Sequence, residues 1–279
     1  LLASSDIAVN QAETERGNSP LWIACLNGHT SVVELLLASS GIDVNQAETV
    51  KGATPLYWAC QQEHTQVIDL LLQHDSIDVN QAAKDGTFPL SLACGANNIK
   101  IAQSLLRSSS INVNQTINGG LSTLYIACQN GHTPVVDLLL QQIGIAVNQA
   151  NKAGFTPLFV ACQNGHAPVV NRLLQQDSID VNQTMNDGAT ALFMACEKGH
   201  AELVQRLLSV DNIDVGLALA TNGCTNVFIA CSNAHMHVLV HLLSHPKTNP
   251  NQPNSVSFVN TFTFIFILYL EKTTLLFVY

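Results

Sequence analysis

Seven of the eight cysteines in this 279-residue chain follow one another at intervals of 34 or 35 residues. They are Cys25, Cys60, Cys94, Cys128, Cys162, Cys196 and Cys231. A fixed interval of this length is typical of proteins in which one supersecondary unit recurs along the chain. The spacing therefore favours a stack of similar units over a single globular fold.

Other residues keep the same period. Each of the seven cysteines follows an alanine and stands eight residues after a glycine, and a Val-Asn pair recurs at Val9, Val44, Val79, Val113, Val147 and Val181. Glycine suits a turn with positive φ, Ser or Thr caps a helix, and Pro is accepted in the first helical turn. Each unit is predicted to contain a turn and a first helix of about eight to ten residues that ends near Asn-Gly-His.

A second helix follows in each unit. In the fourth unit, Thr133 is expected to lie outside this helix, with Pro134 as its first residue. Val135, Val136 and the run from Leu138 to Leu140 supply an apolar stripe that can be buried against neighbouring units.

These residues resemble the ankyrin repeat, whose pattern is Gly-x-Thr-Pro-Leu-His-x-Ala-x-x-x-Gly-His, then a Val-Val-x-Leu-Leu helix and Asp-Val-Asn. The resemblance implies an all-α solenoid of stacked helix-turn-helix units joined by β-turn loops. It covers residues 1–251, with a partial repeat at 1–10 and repeats at about 11–45, 46–80, 81–114, 115–148, 149–182, 183–216 and 217–251. An apolar tail of uncertain status occupies residues 252–279.

The chain departs from the family pattern at one position of every repeat. The His after Leu is replaced by Trp22, Tyr57, Ser91, Tyr125, Phe159, Phe193 and Phe228. We therefore expect aromatic packing in place of the hydrogen bond that this His makes between repeats.

The third repeat departs further from the pattern. Phe88 stands at the Thr position, and Asn97-Asn98 replaces Gly-His. We expect this repeat to be the least stable, and restoring Gly and His at these two positions to stabilise it.

Charge and motifs exclude several functions. The chain carries 11 Lys and Arg against 20 Asp and Glu, a net charge of −9, so it lacks the basic surface that nucleic-acid binding requires. Phosphate-binding glycine loops and recognisable nucleophile motifs are absent from the sequence. We expect no enzyme activity, no cofactor and no nucleic-acid partner.

The repeat spacing limits the chemistry that the cysteines and histidines can perform together. Equivalent residues of adjacent repeats lie about 8 to 10 Å apart, too far for a disulfide or a shared metal ion. The seven cysteines are predicted to be buried as small apolar residues, whereas Cys224 stands in a loop and is a candidate reactive thiol. His237, His241 and His245 share one helical face, but no Glu or Cys completes a ligand set, so we expect no metal site.

A candidate binding surface lies on the first helices. A step of 100° per residue places Gln129 and Asn130 beside Ile126, opposite Ala127 and Cys128. The ankyrin resemblance assigns the Ile126 side to the concave surface, where a partner protein would bind. The candidate residues are Ile23, Trp58, Gln61, Gln62, Ile126, Gln129, Asn130, Val160, Gln163, Asn164 and Met194. The alternative is a half-buried helix surface with no partner.

The ends of the chain leave other readings open. Leu1-Leu2 resembles the end of a second helix, so we expect the chain to be a fragment of a longer protein. The array is then either a complete scaffold, a targeting arm of a larger enzyme or membrane channel, or a linker without a dedicated partner. The tail is an unrelated extension, a membrane anchor through residues 256–279, or a segment packed on the last repeat. We expect an intracellular, cytoplasmic monomer.

Overall fold

The computed structural model describes residues 8–250, which form seven pairs of short helices. The residues at 1–7 and 251–279, including the proposed anchor, lie outside the described residues. The pairs are α1 (Pro20–Leu26) with α2 (Thr30–Leu37), α3 (Pro55–Gln61) with α4 (Thr65–Leu72), α5 (Pro89–Gly95) with α6 (Ile99–Leu106), α7 (Thr123–Gln129) with α8 (Thr133–Leu140), α9 (Pro157–Gln163) with α10 (Ala167–Leu174), α11 (Ala191–Lys198) with α12 (Ala201–Leu208), and α13 (Asn226–Ser232) with α14 (Met236–Ser244). The predicted all-α architecture is confirmed.

The helices are joined by turns and short hairpins. One hairpin pairs two antiparallel strands, β1 (Thr116–Ile117) and β2 (Leu121–Ser122), in which Thr116 faces Ser122. The first helices have seven or eight residues, slightly fewer than predicted.

The chain divides into two compact units, which we call the N-terminal unit (Leu1–Ala146) and the C-terminal unit (Val147–Tyr279). In the N-terminal unit, first helices pack on first helices in the order α1, α3, α5, α7, and second helices in the order α2, α4, α6, α8. In the C-terminal unit, α9, α11 and α13 follow one another, as do α10, α12 and α14. Within each unit, each repeat therefore contacts its neighbours, as expected of a repeat array.

Side-chain caps begin most of the first helices. The hydroxyl at each of these N-caps accepts a hydrogen bond from the backbone N–H three residues later, at 3.1 to 3.2 Å. The capping residues are Ser19, Thr54, Ser122, Thr156, Thr190 and Thr225. Each such cap contributes about 1 kcal/mol.

The third repeat begins its first helix in another way. Phe88 has no capping oxygen, and its side chain is fully buried. Ser91, one turn into α5, accepts a hydrogen bond from the Phe88 N–H at 2.9 Å and donates one to the Phe88 carbonyl at 2.7 Å. The serine at the family's His position thus secures the helix start that Phe88 itself cannot cap.

The second helices start differently from the prediction. Thr133 is the first residue of α8 rather than its cap, and the N-cap is His132, whose side chain makes no capping bond. The His132 Nε2 lies 3.1 Å from the carbonyl oxygen of Gly95 in the preceding repeat. His64 and His235 reach the carbonyls of Leu26 and Glu197 in the same way. These imidazoles link repeats because they donate to carbonyls left open at the end of the preceding first helix.

A second set of bonds between repeats involves the recurring asparagines. Asn182 donates from Nδ2 to the Asn212 carbonyl at 2.7 Å and accepts from the Asp214 N–H at 2.8 Å. Asn10, Asn45, Asn80, Asn114 and Asn148 each make the same pair of bonds to the loop that follows the next second helix. We call this set the asparagine ladder.

The end of each first helix requires a left-handed residue, and glycine supplies it in most repeats. At Gly28 (φ +69°), a Cβ atom would lie 2.7 Å from the His64 ring. Glu63, Asn97 and Ala234 occupy this position with φ between 55° and 60°. The repeat after Glu63 carries Asn98 in place of His, so no imidazole crowds the Glu63 Cβ.

Restoring the third-repeat consensus is therefore a less simple change than the sequence implied. Asn98 accepts a hydrogen bond from the Ile101 N–H at 3.2 Å and caps α6. Asn98→His would remove that cap and bring an imidazole against Glu63. Both effects oppose a gain in stability from Asn98→His.

Glu63→Gly should raise the free energy of unfolding by about 0.5 to 1 kcal/mol, because at positive φ the Glu63 Cβ is strained against its own backbone and glycine has no Cβ. Asn97→Gly should raise the free energy of unfolding by less than Glu63→Gly, since asparagine tolerates positive φ better than glutamate does. Urea unfolding followed by circular dichroism measures both. Gly28→Ala is the control and should lower stability. A gain from Gly28→Ala, or none from Glu63→Gly, would contradict the strain argument.

Candidate functional site

The candidate surface of the N-terminal unit is a row of partly exposed apolar side chains, which we call the first-helix stripe. Its members are Ile23, Trp58, Leu92 and Ile126, one from each of the four first helices. Ile23 is 43% exposed, whereas Trp58, Leu92 and Ile126 are half-buried. The opposite side of these helices is fully buried, as the 100° periodicity predicted: Ala127 and Cys128 have no exposed surface.

Trp58 is held in a defined orientation within this stripe. Its ring packs edge-on against Trp22 at 5.6 Å and against Tyr57 at 5.7 Å between ring centroids. Both neighbours stand at the position that the family pattern gives to His, so aromatic packing does occupy it in these repeats. The Tyr57 hydroxyl also donates to the Thr87 hydroxyl oxygen at 3.2 Å, which links the second and third repeats.

Neutral amides border the first-helix stripe. Gln61, Gln62, Gln129 and Asn130 are exposed, and the four first helices of this unit carry no charged residue. The side chains of Gln61 and Gln62 make no hydrogen bond within the described part of the chain. Each can therefore offer both a donor and an acceptor to a bound chain.

The C-terminal unit does not present the same surface. Val160 is 1% exposed, so its assignment to an open binding surface is corrected. Valine is shorter than Ile, Met or Trp, so its side chain reaches less far from the helix surface. Met194 packs against a buried cluster that contains Phe159, Phe193 and Cys224.

The polar candidate residues of the C-terminal unit, Gln163 and Asn164, do not border an apolar row like the first-helix stripe. Gln163 is half-buried and Asn164 is exposed. The next first helix ends in Glu197 and Lys198, which form an ion pair at 3.4 Å. Of the first helices in the C-terminal unit, α11 therefore carries charge, whereas none of the four in the N-terminal unit does.

All eight cysteines are free and buried. Burial raises the pKa of Cys25 and of Cys94 to about 12, and it raises those of Cys60, Cys162 and Cys196 further. Cys224 is only 4% exposed; burial, and secondarily the charge of Glu197, raise its pKa to about 11. A buried, protonated thiol is a poor nucleophile, so the structure does not support the reactive Cys224 considered above.

Within residues 8–250, no group of three or more His, Cys, Asp or Glu side chains is arranged to hold a metal ion. His237 is exposed, while His241 and His245 are half-buried. The His245 Nδ1 accepts a hydrogen bond from the Lys247 N–H at 3.3 Å.

The hairpin tips near Lys51, Lys84 and Lys152 are the second place where the sequence offers a binding surface. The Lys51 Nζ lies 4.9 Å from the centroid of the Trp58 ring, a cation–π contact beside the first-helix stripe. Lys51 stands directly before the hairpin glycine, as Arg16 does in the first repeat.

Carboxylates at the same hairpins accept hydrogen bonds from their own loops. Glu48 is 4% exposed and accepts hydrogen bonds from the N–H groups of Val50, Lys51 and Ala53. Asp85 accepts from both the hydroxyl and the N–H of Thr87. These bonds, with a smaller contribution from the charge of Lys51, lower the pKa of Asp85.

No helix within residues 8–250 is long and apolar enough to cross a membrane.

No curated protein matches the chain. Among solved structures, the ankyrin repeat domain of Bcl-3, described as a unique member of the IκB protein family, is similar with a TM-score of 0.73 and 26% identity. The match covers 82% of this chain and 100% of that chain.

Sequence models of protein families also identify ankyrin repeats in this chain. A model for ankyrin repeats in three copies matches residues 45–117, 90–185 and 178–254, and a model for a single ankyrin repeat matches residues 16–48. These matches follow one another along nearly all of the described residues. The chain therefore belongs to the ankyrin repeat family.

Proposed function

We propose that this chain is a protein-binding scaffold whose contact surface is the first-helix stripe of the N-terminal unit. Ankyrin repeats generally mediate protein–protein interaction, which supports the class of function. The observation that carries the location is the uncharged apolar row around Trp58, with Ile23 43% exposed at one end of it.

Aromatic and aliphatic anchors account for much of the binding energy in protein interfaces. Trp58 is already fixed by Trp22 and Tyr57, so little side-chain entropy is lost when a partner covers it. Gln61 and Gln62 can satisfy the backbone of an extended or helical partner segment. Because the row is uncharged, affinity should change little between about 50 and 200 mM salt.

A photo-crosslinking amino acid placed at Gln62 should capture the partner, whereas the same group at Gln66 should not. Gln66 is also exposed but lies on the second helix α4. This pair of sites separates binding on the stripe from adhesion to any exposed surface. Equal capture from both sites would contradict the proposal.

Trp58→Ala and Ile23→Gln should then weaken the captured partner's affinity by about tenfold or more, as hot-spot residues do. Titration calorimetry measures this effect, and circular dichroism should show unchanged helical content. Met194→Ala should have a smaller effect on binding and should lower stability, because Met194 packs on the buried Phe159–Phe193 cluster. Ala161→Leu is the control for a damaged fold, since Ala161 has no exposed surface and a larger side chain overpacks the core.

The alternative, a targeting arm of a larger enzyme or channel, uses the same contact surface. It differs in what the full-length protein contains beyond these repeats. A full-length transcript distinguishes the two.

A further inference from the structure

The last described helix, α14, exposes an apolar row along one of its sides. Met236, Val240 and Leu243 follow one another at the i, i+4 and i+7 positions, so they share one side of the helix. Their side chains are 37%, 39% and 43% exposed. We call these three residues the α14 face. Contiguous exposed apolar surface is a typical mark of an interaction site.

The other repeats show that the α14 face is unusual. The residue equivalent to Leu243 is half-buried in each of them, for example at Leu208 of α12, on which α14 packs. The residue equivalent to Val240 is polar in all six: Glu34, Asp69, Gln103, Asp137, Asn171 and Gln205. A terminal repeat ordinarily needs a polar outer face to stay in solution. An apolar row at this end of the array therefore requires a cover.

The sequence after the described residues supplies an apolar segment. Residues 258–270 are apolar apart from Asn260, Thr261 and Thr263, and Glu271 and Lys272 are the only charged residues between 251 and 279. The α14 helix likewise contains no Asp, Glu, Lys or Arg. Contact between the two would therefore bury no such charge, which avoids the main cost of covering a surface.

The geometry allows this segment to lie along α14. Residues 251–257 can span about 23 Å when extended, at about 3.3 Å per residue. The helix itself is only about 14 Å long, at about 1.5 Å per residue. His237 and His241 lie about 90° or more around the helix from the α14 face. The Ser244 hydroxyl already donates to the Val240 carbonyl at 2.7 Å, so covering it would leave no donor unpaired.

We propose that residues 258–270 pack on the α14 face and cap this end of the array. The segment is joined to the surface that it covers by a short connection, so its effective concentration there is about millimolar. A second chain in dilute solution is far less concentrated and does not compete. The contact lies in the last repeat and does not depend on partner binding at the first-helix stripe.

A photo-crosslinking amino acid at Val240 of the full chain tests which segment covers the face. Mass spectrometry after irradiation should identify crosslinks to residues 258–270 of the same chain. The same group at Gln103, the equivalent exposed position on α6, should give no such crosslinks. Crosslinks from Val240 to a second chain, equal crosslinking from Gln103, or loss of the crosslinks when phosphatidylcholine vesicles are added would each overturn the proposal.

Hydrogen exchange of the α14 amides measures how strongly the segment protects this helix. Phe264→Glu combined with Ile267→Glu should accelerate their exchange about tenfold or more, because it places charge against the apolar face. Leu275→Glu combined with Phe277→Glu adds the same charge outside residues 258–270 and should change exchange less than about twofold. Equal acceleration by the two pairs would contradict the proposed contact.

Val240→Gln keeps the result interpretable if the tail variants fold poorly. On an uncovered helix surface this change only restores the polar residue that other repeats carry, and it should not speed exchange. Beneath the segment it should accelerate α14 exchange about threefold or more. Combined with Phe264→Glu and Ile267→Glu it should add less than about twofold, because the contact is already lost. Unchanged exchange after Val240→Gln alone would sink the proposal.

Discussion

Phe88→Thr should lower the free energy of unfolding by about 2 to 4 kcal/mol, although threonine is the residue that the family pattern prefers there. Loss of a fully buried phenylalanine costs about 3 to 5 kcal/mol, and a new N-cap returns about 1. Urea unfolding monitored by circular dichroism measures the change.

Phe88→Leu is the matched control for this substitution. It supplies no capping oxygen but keeps an apolar side chain in the same space, so it should be less damaging than Phe88→Thr. If the missing cap limits the stability of the third repeat, the order is reversed and Phe88→Thr is the more stable variant. That outcome would show that burial of Phe88 is the smaller effect.

Asn182→Ala should destabilise the junction between the fifth and sixth repeats by about 1 to 3 kcal/mol, because both partners of its amide lose a hydrogen bond. The expected signs are a lower urea midpoint and faster hydrogen exchange in α11 and α12. In a repeat array the loss falls mainly on the repeats that meet at the weakened junction, because each repeat is stabilised by its nearest neighbours.

Asn212→Ala is the control at the other end of the same bond. The Asn212 backbone carbonyl accepts from Asn182, whereas its exposed side chain makes no hydrogen bond within the described residues. This variant should leave stability within about 0.5 kcal/mol of the parent. Equal losses from the two asparagines would show that the asparagine ladder contributes little.

Local patterns predicted the helices, the caps at Ser and Thr, and the buried face around Cys128, because each depends on residues within one turn of a helix. The partners of the His side chains could not be predicted in this way, since His64 reaches a carbonyl 38 positions earlier. Ser91 as a substitute for the Phe88 cap was also missed. Contacts between repeats depend on how the units pack, which the pattern of one unit does not contain.

The candidate surface was predictable only in part. Helical periodicity separated Ile126 from the core, and the amides at Gln129 and Asn130 are exposed as that periodicity requires. It could not show that Val160 is buried, because periodicity gives the side of the helix and not the reach of the side chain. Nor could it distinguish carboxylates that fold a hairpin from cations that remain at its tip.

The asparagine ladder has a consequence for how the chain can change length. Counted from each asparagine to the carbonyl it binds, the first two repeats are one residue longer than the next three, yet every pair of bonds is made. The additional residue lies in the hairpin, between the asparagine and the hairpin glycine. Insertions there leave the junctions in register, so the hairpins can grow or acquire new side chains while the stack beneath them keeps its geometry.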